Sequence, residues 1–176
     1  MALSDPTPDL RVRRSLAKDV LEIAARLRQE DLDEIAEADG RPPVTVLGEA
    51  YVESERCWTV TYKDRPAAMF GVVRSSLTAD PRLGVVWLLG TDDVAMFGFG
   101  LTRWSKEWLR AIFDGDENGQ GFDILGNLVS ENSVTHRRWL QRIGARMVGV
   151  RHNVGLKTGV PFHEFVFSKE SLEQHV

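Results

Sequence analysis

Phe122-Asp123-Ile124-Leu125-Gly126-Asn127-Leu128-Val129 is followed, after Ser130-Glu131, by Asn132-Ser133-Val134-Thr135-His136-Arg137-Arg138-Trp139-Leu140-Gln141-Arg142-Ile143-Gly144-Ala145. The first run reads as a strand. The second opens on small polar residues of the kind that cap helices and stops on Ile143-Gly144, so it predicts a helix over Asn132 to Ile143. Strands near Arg146 to Val150 and Phe162 to Phe167 follow, which makes the C-terminal third a strand, a helix and two closing strands.

Working toward the N-terminus, Gly98 to Phe113 places Leu101, Trp104, Trp108, Leu109 and Ile112 at helical spacing, and the polar, Gly-rich Asp114 to Gly121 reads as a loop. Before it, Val85-Val86-Trp87-Leu88-Leu89 is an unbroken apolar strand of the kind covered on both faces at the middle of a sheet. Cys57 to Tyr62 alternates like a strand, Lys63-Asp64-Arg65 reads as a turn, and Pro66 to Val73 is the partner strand. A loop through Asp80-Pro81 joins this hairpin to the central strand. Three helical pieces precede the hairpin, from Ser15 to Leu27, through Leu32 to Ala36 ending at Gly40, and from Val46 to Tyr51 beyond Pro42-Pro43. Leu10 to Arg13 is a first strand. The order predicts an α/β (α+β) chain with a mixed, mainly antiparallel central sheet and helices on both faces. One domain over 10–168 is expected, with a flexible leader at 1–9 and a tail at 169–176.

The chain has 176 residues, 43% hydrophobic and 27% charged, with a formal net charge of −4. That suits one soluble globular domain and carries no nucleic-acid signature. Arg137, Arg138, Arg142, Arg146 and Arg151 crowd the last third, while Asp19 to Asp39 is strongly acidic. The asymmetry reads either as solvated faces or as a feature for docking or for an anionic ligand. Cys57 is the single cysteine, so no internal disulfide or cysteine-based metal framework exists, and its strand setting reads as an inert buried thiol. No metal site is expected, and no apolar run is long enough to span a bilayer.

The helix that ends on Ile143-Gly144-Ala145 after the strand Phe122 to Val129, together with the order of the other elements, resembles the GNAT acyltransferase superfamily. The resemblance implies a splayed central strand pair and an acyl-CoA site on the central strand and the following turn. Backbone amides at a helix start hold the pyrophosphate there, because unpaired N–H groups and the helix dipole favour an anion. Here that turn is Gly90-Thr91-Asp92-Asp93. One carboxylate ~4 Å from a phosphate charge costs on the order of 4 kcal/mol at an effective dielectric of about 20. Thr91-Asp92-Asp93 reads alternatively as an ordinary helix start, and Gly98-x-Gly100 as a displaced phosphate loop or as close packing. The central strand contains no acid to serve as general base, and the position of the usual proton donor, four before Gly144, is Leu140. His136 is either a substitute acid facing the splay or a capping and packing histidine, with no carboxylate partner evident in sequence. The residues left for coenzyme A are Leu88, Leu89, Gly90, Asn132 and Ser133, as a vestigial site.

Trp87-Leu88-Leu89-Gly90-Thr91-Asp92, Ser133-x-x-His136-x-x-Trp139-Leu140-x-x-Ile143-Gly144-Ala145 and Pro161-Phe162-x-x-Phe165 further resemble the internal virion core protein A family of short-tailed bacteriophages. That resemblance implies a non-catalytic virion-associated or assembly protein with no bound cofactor, whose partners are other phage virion proteins. It would be made in the host cytoplasm and carried into the particle. Trp87, Phe97 or Phe99 would fill the cleft, and Trp104 or Trp108, where exposed, would anchor partners; their helical spacing reads alternatively as core, the favoured reading for Trp108. The competing expectation is an active N-acetyltransferase using acetyl-CoA and a small-molecule amine or peptide acceptor.

Overall fold

The computed structural model describes residues 9–74, 82–116, 119–155 and 159–173. The expected leader therefore lies outside the described residues except for Asp9, as do the Asp80-Pro81 loop and the last three residues of the expected tail.

The chain runs β1 (Leu10–Arg14), α1 (Ala17–Ala24), α2 (Gln29–Ala38), α3 (Pro43–Glu53), β2 (Arg56–Tyr62), β3 (Arg65–Arg74) and β4 (Leu83–Gly90). A 3-10 turn at Asp92–Phe97 leads into α4 (Gly98–Asp114). There follow a small ladder, β5 (Gly115–Asp116) with β6 (Gly119–Gln120), then β7 (Ile124–Ser130), α5 (Val134–Arg142), β8 (Arg146–Arg151), β9 (Phe162–Ser168) and α6 (Lys169–Glu173). Seven strands form one sheet in the order β1-β2-β3-β4-β7-β9-β8. Among the described strands β4–β7 is the one parallel pair, and the other neighbours run antiparallel.

Local chemistry explains the boundaries. The β2–β3 hairpin turns through Lys63 and Asp64, both at positive φ, the two-residue geometry whose twist matches that of the strands. After α2, Gly40 at φ +69° reverses the chain, and Pro43 begins α3 at a position where a missing N–H costs nothing. Alternation along the hairpin divides the side chains between two layers. Cys57 and Met69 face α1 to α3 with Val20, Ile23, Leu27, Ile35 and Leu47. Val60 and Phe70 face Leu101, Trp104 and Trp108 of α4. A third cluster joins α4 to β7, α5 and β9 through Ile112, Phe122, Leu125, Ile143 and Phe167. The sheet thus carries helices on both faces, as expected.

Two expectations need correction. Val85 to Leu89 of β4 are half-buried rather than sealed, because β4 loses its β7 neighbour halfway along. Trp104 and Trp108 are 6% and 7% exposed, since both lie on the stripe of α4 that packs on the sheet, so neither is an exposed anchor and the core reading favoured for Trp108 holds for both. Part of the expected tail is helical: α6 buries Leu172, and Ser168 and Ser171 cap its start reciprocally, each hydroxyl accepting the other's backbone N–H at 3.2 and 3.0 Å. No described helix is long and apolar enough to cross a membrane.

Candidate functional site

The parallel register of β4 on β7 covers Leu83–Ile124, Gly84–Leu125 and Val85–Gly126, and then stops. Beyond it β4 stays paired with β3 as far as Gly90, while β7 stays paired with β9 as far as Ser130, so the two strands part in the middle of the sheet. Asn127 marks the fork: its Nδ2 donates to Val86 O at 2.9 Å and its Oδ1 accepts from Leu128 N at 2.7 Å. A side-chain amide makes the last rung where a backbone rung would close the gap.

On the α4–α5 side of the fork lies a cavity of about 90 Å³, walled by Val86 and Leu88 of β4, Trp108 of α4, Trp139 and Leu140 of α5 and Phe165 of β9. The aromatics expected to fill the cleft do not. Trp87 turns its indole toward α3, where Nε1 donates to Ser54 Oγ at 2.9 Å, and Phe97 is packed in the core beside Tyr62. The side chain of Phe99 lies outside the described residues.

At the wide end of the fork α2 crosses the tip of β4. Arg28 N donates to Gly90 O at 3.0 Å, and the buried Asp31 carboxylate accepts from Gly90 N at 2.7 Å and from the Arg28 guanidinium at 2.9 Å. The spacing of Asp31, Glu34 and Glu37 puts three carboxylates on one helical face, and that face meets the end of β7 and the start of α5. Ser133 Oγ donates to Glu34 at 2.8 Å, Asn132 Nδ2 donates to Glu37 at 2.7 Å, and the Ser130 hydroxyl also bonds Glu37. His136 lies among them, with Nδ1 3.4 Å from Glu34 and Nε2 3.6 Å from Asp31, against the Arg28 guanidinium. The sequence expectation that His136 lacks a carboxylate partner is therefore overturned. In the acidic Asp19 to Asp39 stretch, Asp19 and Asp31 are 0% and 1% exposed and depart from the solvated reading, which Glu22, Glu30 and Asp33 fit.

Of the five residues assigned to coenzyme A, the structure places Leu88 on the cavity wall, while Leu89 packs with the core under α1 to α3. The Gly90 N–H, the Asn132 amide and the Ser133 hydroxyl are bonded to α2. Leu140 lines the cavity and offers no proton, as its identity dictates.

The turn after β4 is a capped helix start. Thr91 Oγ1 accepts from Asp93 N at 3.3 Å and donates to Ala67 O at 3.1 Å. Asp93 is paired with Arg26 at 3.3 Å, which offsets one of the two charges set against a phosphate. Asp92 is exposed, where water and salt screen it. Gly98 has a helical φ of −54° and open space at its Cβ position, whereas a Cβ on Gly100 would come within 2.9 Å of the Trp104 ring. Gly100 is thus a packing glycine.

Burial pushes the Cys57 thiol up to about 11, although its hydrogen bond to Ser15 Oγ pulls the other way. It stays a neutral thiol at physiological pH. A thiol reagent at pH 8 is expected to leave the folded protein untouched and to titrate one thiol per chain after denaturation. Among the described residues no group of three or more His, Cys, Asp or Glu side chains is arranged to hold a metal ion.

No protein-family model matches the chain, and no curated protein matches it in sequence. Solved structures do. A GNAT-family acetyltransferase from Bacillus anthracis superposes with a TM-score of 0.69 at 10% identity, over 97% of this chain and 99% of that one. The aminoglycoside acetyltransferase AAC(6')-Ib, solved with ribostamycin and coenzyme A, gives 0.68 at 14% identity over 94% and 97%. A GCN5-related N-acetyltransferase from Kribbella flavida gives 0.64 at 15% identity over 91% and 98%. Nothing in these comparisons links the chain to the phage internal virion proteins. Likeness at such identities is likeness of fold, and on that footing this chain has the GNAT acetyltransferase fold.

Proposed function

We propose that the protein is an N-acyltransferase that moves an acyl group from an acyl-CoA thioester to an amine. The observation that carries this reading is the fork between β4 and β7 with the apolar cavity beside it, a channel of suitable chemistry for a thioester arm. Bound there, the thioester supplies an activated acyl carbonyl. Val86, Leu88 and Leu140 exclude water from it, and the backbone of β4 between the bonded groups of Val86 and Gly90 holds the arm in line. Of the five residues first assigned to coenzyme A, Leu88 keeps a direct contact, whereas Gly90, Asn132 and Ser133 anchor α2.

An acceptor amine enters at the wide end of the fork, where Asp31, Glu34 and Glu37 outnumber Arg28 and favour a cation. His136, with Nδ1 toward Glu34, takes the amine's proton on Nε2 when the amine displaces the Arg28 guanidinium that donates to that nitrogen. No side chain on α5 protonates the departing thiolate, because Leu140 occupies the place of a donor; a thiol of ordinary acidity near pKa ~8.5 leaves without one.

Acetyl-CoA offered with a panel of primary amines, aminoglycosides among them, tests this. Release of coenzyme A thiol together with an acetylated amine is expected, and the buried Cys57 will not disturb a thiol assay on the folded protein. Bound acetyl-CoA with no product from any amine would contradict a transferase.

A further inference from the structure

Four of the residues that line the cavity carry a polar side-chain atom: Ser105, Trp108, Trp139, and Trp87, whose indole is turned away toward α3. Two of these atoms are committed, since Trp87 Nε1 donates to Ser54 Oγ at 2.9 Å and Ser105 Oγ donates to Leu101 O one turn back in α4. The other two are indole N–H groups, Nε1 of Trp108 and of Trp139, on rings that wall the cavity; both atoms are buried behind that wall and both are without a hydrogen-bond partner. Buried donors are nearly always paired, so two orphans on one cavity, one from α4 and one from α5, need an account. Packing explains the rings. Trp108 stacks on Phe70 at 4.5 Å between centroids, and Trp139 joins the clusters of both helices. It does not explain why the N–H groups face no acceptor, because phenylalanine would fill the same space without a donor to desolvate.

We infer that Trp108 and Trp139 are the carbonyl-binding residues of this cavity. An indole N–H donates and never accepts, so the pair selects a ligand that brings acceptors into an otherwise apolar channel. A plain hydrocarbon chain would leave both donors unpaired and is disfavoured. A slender arm with amide carbonyls along it and a thioester carbonyl at its end satisfies them once a tilt of each ring brings its N–H onto the channel. That is the chemistry of an acyl-pantetheine arm, and the inference rests on the acyl-CoA reading above. The two tryptophans then do the work for which the central strand and α5 supply no polar side chain at Val86, Leu88 or Leu140.

The five tryptophans give five indole N–H resonances in the nitrogen-15 spectrum of the full chain, assignable with single Trp→Phe variants. On titration with acetyl-CoA the Trp108 and Trp139 resonances are expected to move downfield, while that of Trp87, held on Ser54, stays in place. Trp108→Phe and Trp139→Phe keep an aromatic ring and delete the donor. Each is expected to weaken acetyl-CoA binding by about 5- to 100-fold, the range for an unpaired carbonyl in a buried site, without lowering the melting temperature of the free protein by a comparable measure. If acetyl-CoA binds while neither resonance moves and both variants bind like the parent, the assignment of these residues is overturned and the acyl-CoA reading stands. If acetyl-CoA does not bind the parent protein, the acyl-CoA reading falls and the ligand named here falls with it.

Discussion

Asp19→Ala is expected to destabilise the protein by about 3 kcal/mol, the lower end of the range for removing one partner of a buried ion pair. The carboxylate is wholly buried and uses both oxygens: Oδ1 accepts from Arg13 at 2.8 Å, and Oδ2 accepts from Arg13 at 2.6 Å, from the Thr59 hydroxyl at 2.8 Å and from Leu16 N at 2.9 Å. These bonds tie β1 to the first turn of α1 and to β2. Removal leaves the part-buried helix-start N–H of Leu16 without its acceptor and takes from the Thr59 hydroxyl one of two partners, Ser15 Oγ at 2.8 Å remaining. Arg13 is 36% exposed and can turn to water, which is why the lower end applies. The expected fall in melting temperature is about 6–12 °C for a domain of this size.

The same group sets a pH dependence. Burial opposes ionisation of Asp19, but its bonds to Arg13, Leu16 and Thr59 outweigh burial and hold its pKa below the usual carboxylate value. A depressed folded pKa means that the stabilisation is present above the unfolded value of about 3.9 and is lost as the pH falls through the folded value. Urea titrations of the parent and Asp19→Asn should therefore differ by a constant amount near neutrality and begin to converge only below about pH 4, as the pH falls toward the depressed folded value. A parent no more acid-sensitive than Asp19→Asn would contradict the role given to this carboxylate.

His136→Gln is expected to lower kcat by about 100-fold or more, as for loss of a general base, with little change in KM for acetyl-CoA. Glutamine retains a donor for Glu34 but takes no proton. The KM expectation follows from position: His136 sits at the α2 crossing, one helical turn before Leu140, and is not part of the cavity wall. An equal kcat for the variant would make the imidazole a tie between α2 and α5 and nothing more.

How much of this was legible in the sequence differs between fold and site. The strand and helix from Phe122 to Gly144 carry their own start and stop signals, and the observed β7 and α5 lie within two residues of that reading. The apolar run of β4 gave its place in the sheet but not its half-exposure, because a splay is a relation between two strands about forty residues apart. Helix α6 was missed although Ser168-x-x-Ser171 spells a reciprocal cap, since a helix of five residues has no periodicity to read.

The site was harder. Asp31, Glu34 and Glu37 share a helical face by spacing alone, yet their partners Ser133, Asn132 and Ser130 lie more than ninety residues away, and only tertiary contact turns a solvated acidic stripe into a clasp. That contact also gives His136 the carboxylates that were not evident in sequence. Trp104 and Trp108 were placed on one stripe of α4 by their spacing, but which indole N–H groups go unpaired is a fact of packing. The absence of an acid on β4 and of a donor at Leu140 was legible, and it pointed away from catalysis. The fork and its cavity point back toward it.

Melting temperature measured with and without millimolar acetyl-CoA reaches this question most directly. A ligand present at one hundred times its dissociation constant stabilises the folded state by about 2.7 kcal/mol, a shift of several degrees here. A rise of that size, retained with coenzyme A and weakened in Trp139→Phe, is the expected result. An unchanged melting temperature at saturating acetyl-CoA would mean that the cavity between β4, α4 and α5 does not receive a thioester arm, and the acyltransferase reading would be wrong.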